Sequence, residues 1–167
     1  MKFESILTEA FMRSILEVAK GNLAKSGFLA PMVFLHNENG DLIVWPPEKL
    51  SDSAQKRKLF FNRGLILKAK GFIVSEALLL IESWGVFGDG KSIDRNTPPS
   101  ENPHRQELIT LQGRNVANST QVLATVPFSR DSQGKPVPGV FSFLEGYLAE
   151  GLLDHLFAAQ AVSIGKA

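Results

Sequence analysis

The sequence predicts an α+β domain: a mostly antiparallel sheet of about five strands with three helices, in the order α-β-β-α-β-β-β-α. Three observations carry that expectation. Residues 3–20 repeat apolar side chains at helical spacing. Two apolar runs flank an Asn39-Gly40 turn, the signature of a hairpin. Two further runs, 105–112 and 120–128, follow one another across a short polar connection, and consecutive hairpins build antiparallel sheets. The 167 residues suit a single domain, taken as 1–160, with 161–167 a frayed tail.

Each element has its own justification. Phe3, Ile6, Leu7, Ala10, Phe11, Ile15 and Val18 fall three or four apart, and Gly21 is the expected helix stop. Pro31–His36 and Leu42–Trp45 are the hairpin strands, and Pro46-Pro47 ends the second because proline cannot donate to a ladder. Ser51 or Asp52 caps a helix to about Lys70, closed by Gly71. That helix is apolar on several sides and carries Gly64 in its middle, at a cost of about 1 kcal/mol relative to Ala. A competing reading ends it near Gly64 and makes 65–70 a strand. Residues 72–84 are apolar on both alternating faces, as a central covered strand would be. Residues 85–104 form a long aperiodic loop, and 129–139 another. Ser142-Phe143-Leu144-Glu145 has the form of a capping box opening a last helix to about Ala159. The order of elements resembles that of profilin-like and roadblock-like domains, and an order of elements implies no function.

Composition excludes several classes. Hydrophobic residues make up 44%, enough for a core and against disorder. Eighteen Lys+Arg against 17 Asp+Glu give a net charge of +1, which argues against a nucleic-acid partner or a polybasic membrane binder. Without cysteine there is no disulfide, no thiolate catalysis and no Cys-based metal site. Glu4, Glu9, Arg13 and Glu17 interrupt the N-terminal stretch, so it does not read as a signal peptide. The apolar run Ala77–Ile81 is too short to span a bilayer. A cytoplasmic protein without a membrane partner is the expectation.

The sharpest motif is Gly85-Val86-Phe87-Gly88-Asp89-Gly90-Lys91-Ser92, which fits G-x-x-x-x-G-K-[ST] after a predicted strand. In such a loop Gly85 and Gly90 free backbone N–H groups for phosphates, Lys91 meets the β/γ oxygens and Ser92 ligates magnesium. The chemistry also needs a helix to start at Lys-Ser. Here five residues separate Ser92 from Pro98-Pro99, too few for that helix. A Gly-rich solvent loop is the preferred reading, with nucleotide binding an alternative.

His36, His104 and His155 have no metal-ligand spacing, and no cofactor is called for. Lys56, Arg63 and Lys70 share one helix face, read as a solvated edge rather than a phosphate stripe. Trp45 and Trp84, at strand ends, read as packing anchors. A more specific constellation follows from strand pairing. If 72–84, 105–112 and 120–128 pair antiparallel in succession, Glu82, Arg105, Glu107, Arg130 and Asp131 gather at one sheet end beneath the loop 85–104. Half-buried carboxylates need cations, so the cluster is either a structural ion-pair network or a site for a small anionic ligand.

The functional expectation is a binding or assembly module forming a homo-oligomer, because the second helix has more apolar residues than one sheet face can cover. Its interface is expected on residues 59–69 or the last helix. The alternatives are an enzyme or small-anion-binding protein with a pocket under 85–104, and a nucleotide-binding protein using Gly85–Ser92.

Overall fold

Thr8 opens the first helix, its hydroxyl accepting the Phe11 N–H at 3.2 Å. Helix α1 then runs Glu9–Ser26, and Gly27, at φ 75°, returns its N–H to the Leu23 carbonyl. The computed structural model describes residues 4–48, 52–85, 96–97, 101, 103–117, 120–146 and 151–162. The helix is shifted six residues from the expected 3–20 at both ends (3 to 9, 20 to 26), and Gly21 lies exposed inside it. The reason is local. Ile6 is withdrawn from the helix and fully buried in the core, while Thr8 and Gly27 supply the two caps.

The expected hairpin is present as β1 (Met32–Asn37) and β2 (Leu42–Trp45). Asn37 donates its N–H to the Asp41 carbonyl, and Gly40, at φ 84°, makes the turn. Helix α2 (Ser53–Ala69) is capped by the Asp52 carboxylate, which accepts the Gln55 N–H at 3.0 Å. It passes unbroken through Gly64, so 65–70 is helical up to Ala69 and no strand begins there. The central strands are β3 (Val74–Gly85), β4 (Gln106–Asn115) and β5 (Gln121–Arg130).

The C-terminal third departs from expectation. Residues 129–139 are not all loop: Pro136–Pro138 form a short strand, β6, against the end of β5. Ser142–Glu145 opens no helix but forms β7, paired with residues 122–125 of β5. The capping-box pattern loses because β5 offers an unpaired ladder and the core takes Phe143. Helix α3 starts only at Leu152 and ends at Ala161, with the Asp154 carboxylate accepting the Gly151 N–H at 2.8 Å. The tail 163–167 and most of 85–104 lie outside the described residues.

The strands form one antiparallel sheet in the order β2-β1-β3-β4-β5, with β6 and β7 both on the outer edge of β5. Seven strands thus stand among the described residues where about five were expected, the difference being the two short ones. Alternation on β3 sends Leu78 and Leu80 toward α1 and Ala77 and Leu79 toward α2 and α3. As a central strand covered on both faces, β3 matches its sequence. On the second face Trp45 meets Phe60 edge to face, centroids 5.1 Å apart, and Leu67, Leu156 and Phe157 complete the packing. No helix among the described residues is long and apolar enough to cross a membrane.

Candidate functional site

Strand register brings the predicted charges together. Trp84 of β3 lies opposite Glu107 of β4, which lies opposite Phe128 of β5; Glu82 lies opposite Ile109. These positions share the face on which α1 lies, so Glu82, Trp84, Glu107, Phe128 and Arg130 collect at one sheet end. A cleft of about 170 Å³ opens between Glu82, Trp84, Glu107 and Phe128.

Inside this cluster the side chains also engage main-chain groups of neighbouring elements. Arg130 donates from Nε to Glu107 at 3.0 Å, from Nη1 to the Gly134 carbonyl at 3.1 Å and from Nη2 to the Gly27 carbonyl at 3.4 Å. Its guanidinium therefore ties together β4, the turn after β5 and the C-terminal end of α1. Glu82 accepts the Leu29 N–H and holds the crossover from α1 to β1 against β3. Arg105 lies 4.7 Å over the Trp84 ring. Asp131 stands apart: its carboxylate accepts the Gln133 and Lys135 N–H groups, both at 2.9 Å, and shapes its own turn. The cluster thus assembles Glu82, Glu107, Arg105 and Arg130 at one end, and its cations are engaged with its own carboxylate, carbonyls and ring. Two carboxylates and two aromatics line the cleft, which does little to attract an anion.

Of the phosphate-loop residues, Gly85 closes β3 opposite Gln106, while Gly90, Lys91 and Ser92 lie outside the described residues. The strand before the motif has antiparallel neighbours on both sides. Among the described residues no group of three His, Cys, Asp or Glu side chains is placed to hold a metal ion. On the basic face of α2 Arg63 stacks 4.7 Å over Trp45, and elsewhere on the helix Lys68 donates to the Val162 carbonyl.

Comparison with protein-family models, with curated proteins and with solved structures finds no match to this chain.

The fold also carries a surface the sequence reading passed over. Helix α1 packs on β4, β5 and β6. Beside it, on the same sheet face, a groove of about 410 Å³ runs between α1 and β1. Ile15, Val18, Phe28, Met32 and Phe34 line it, with Asn22 and Ser26 as its polar members. Val18 is 66% exposed, Phe28 64% and, on the adjoining β2, Val44 49%. The signal was present in the sequence: β1 and β2 are apolar at successive positions, so both sheet faces require a cover.

Helix α2 accounts for less of the apolar surplus than expected. Phe60 and Leu67 are buried within the subunit, and α3 covers the Gly64 side. Only Leu65 and Ile66 remain exposed on it among the large apolar side chains.

Proposed function

We propose that this chain is a binding and assembly module that associates as a homo-oligomer through the apolar surface beside α1. One observation supports the reading: the groove between α1 and β1, continued by Val44 of β2, is a contiguous apolar surface with few polar members. Contiguous exposed apolar surface marks sites of association. Covering one Val or Phe is worth about 1.5–3 kcal/mol, so Val18, Phe28 and Val44 together provide a real drive. Residence in the cytoplasm belongs to the same reading and suits a chain without cysteine.

Light scattering and sedimentation equilibrium test it. The expected mass exceeds the 18.3 kDa of one chain. Val18→Lys with Phe28→Lys should return the protein to a single chain with an unchanged circular dichroism spectrum. A wild-type monomer at high concentration would overturn the proposal.

A small-ligand reading keeps one supporting observation, the cleft beside the half-exposed Trp84. A thermal-shift screen of small anions and cations tests it, since a ligand at 100 times its Kd stabilises by about 2.7 kcal/mol. No shift with any of them, and no change in Trp84 fluorescence, removes that reading.

A further inference from the structure

The two edges of the sheet are built differently. The edge beyond β5 carries Pro136 and Pro138 in β6 and Glu145 in β7. Proline and charge are the usual means of keeping a foreign strand off a sheet edge. The opposite edge is β2, Leu42-Ile43-Val44-Trp45, with neither proline nor charge within it.

Ladder alternation says which main-chain groups β2 leaves open. The Asn37 N–H bonds the Asp41 carbonyl, and β1 and β2 continue in register from there, with Leu35 opposite Ile43 and Val33 opposite Trp45. Counting by twos, Ile43 and Trp45 spend their N–H and C=O on β1. Those of Leu42 and Val44 point away from it.

We infer that β2 pairs with β2 of a second copy of this chain, antiparallel about a twofold axis at Ile43, so that two sheets become one. The inference rests on the reading above that the chain self-associates, and places a contact at the sheet edge beside the α1 groove. The register is set by the chain itself. With Ile43 opposite its own copy, Leu42 faces Val44 and Val44 faces Leu42, so every open donor meets an open acceptor. A shift by two residues sets Leu42 against Pro46, which has no N–H, or Val44 against the turn residue Gly40. A shift by one sets open groups against groups already bonded to β1. A twofold contact must be self-complementary, and this one is.

Two further features fit that register. Leu42 and Val44 lie on the face of the α1 groove, so pairing sets the two grooves side by side on one face of the joined sheet, and Leu42 and Val44 of each copy pack against those of the other across the axis. On the other face, Asp41 of the second copy comes opposite Trp45, the ring over which Arg63 lies. Within its own subunit Arg63 has no carboxylate partner among the described residues, and the facing aspartate supplies one.

The chain has no cysteine, so a single engineered thiol reports the axis directly. Non-hydrogen-bonded antiparallel pairs bring Cα atoms to about 4.5 Å, within the range a disulfide spans. Ile43→Cys under mild oxidation is expected to give a disulfide-linked dimer on a non-reducing gel, and Val140→Cys, an exposed control far from β2 in the chain, is not. Val44→Pro removes an outward N–H together with the valine side chain. Its control is Val44→Ala, which removes the side chain but keeps the N–H and should associate at least tenfold more tightly than Val44→Pro. Val44→Pro should keep the fold by circular dichroism and weaken association at least tenfold in sedimentation. A wild-type oligomer in which Ile43→Cys fails to cross-link, or in which Val44→Pro associates as tightly as Val44→Ala, overturns this inference and leaves the assembly reading standing. A wild-type monomer overturns both.

Discussion

His36 and Glu76 face each other across β1 and β3, Nδ1 and Oε1 3.1 Å apart, both side chains buried. The same carboxylate accepts the Ser5 hydroxyl at 2.7 Å and the Ile6 N–H at 3.4 Å. One buried acidic group thus fastens the segment before α1 to the middle of the sheet and lets Ile6 enter the core. Glu76→Ala should destabilise the fold, at about 1–3 kcal/mol for each buried donor left without an acceptor. Glu76→Gln keeps an acceptor oxygen and should lose less than half as much. Urea unfolding gives the two losses, and hydrogen exchange at the Ile6 amide should quicken in the Ala variant alone. Equal stability of Glu76→Ala and wild type would show that the carboxylate anchors nothing.

Gly64 permits the close approach of α2 to α3. A methyl group there would meet the Leu156 carbonyl and lie 2.9 Å from the Ala159 Cβ. Helix propensity alone favours Ala over Gly by about 1 kcal/mol. Overpacking costs about 1–3 kcal/mol, and here a backbone oxygen has to give way. Gly64→Ala is therefore expected to be destabilising, whereas Gly21→Ala, with open space around it in α1, should be stabilising. Thermal melts of the two variants decide it, and a Gly64→Ala melt above wild type would contradict the packing argument.

Arg130 and Glu107 offer a contrast with Glu76, because both are partly open to water, at 34% and 25% side-chain exposure. A screened pair of this kind contributes about 0–1 kcal/mol. Arg130 also holds the Gly27 and Gly134 carbonyls, and those bonds survive the loss of Glu107. A double-mutant cycle of Arg130→Met and Glu107→Met should thus give a coupling of no more than about 1 kcal/mol. Arg130→Met alone should cost more than Glu107→Met. Equal single losses would mean that the carbonyl contacts contribute nothing.

The sequence was most legible where a single local signal had no competitor. Asn39-Gly40 fixed a hairpin, Asp52 and Gly71 bracketed α2, and the doubly apolar run around Leu78-Leu79 marked the covered central strand. It failed where a good local pattern met a stronger tertiary demand. Ser142–Glu145 has the letters of a capping box, but the free edge of β5 took it as a strand. Residues 3–8 have helical spacing, but Glu76 offered Ile6 an acceptor, and the core offered it a place. The charged cluster was half legible. Strand pairing located Glu82, Arg105, Glu107 and Arg130 at one end, but spacing carries no information on the Gly27, Leu29 and Gly134 main-chain groups that take up their bonds. The groove beside α1 was half legible too: the successive apolar positions of β1 and β2 call for a cover on both faces, but spacing does not say that α1 packs on β4, β5 and β6.

The segment Gly85–Ser92 gives the last prediction. The strand before it, β3, lies between β1 and β4 and is antiparallel to both, whereas phosphate-binding loops of this pattern open parallel α/β units. In the sequence, Ile93-Asp94-Arg95-Asn96-Thr97 is all that separates Ser92 from Pro98-Pro99. Five residues give little more than one turn, too short to present a row of free N–H groups and an aligned dipole to a triphosphate. A lone lysine in a glycine-rich stretch of sequence is one cation, worth little at physiological ionic strength. Isothermal titration with Mg-ATP and with Mg-GTP is expected to show no binding at millimolar ligand, and Lys91→Ala is expected to leave both the titration and the melting temperature unchanged. Micromolar binding abolished by Lys91→Ala would establish a nucleotide site here and restore the nucleotide-binding reading.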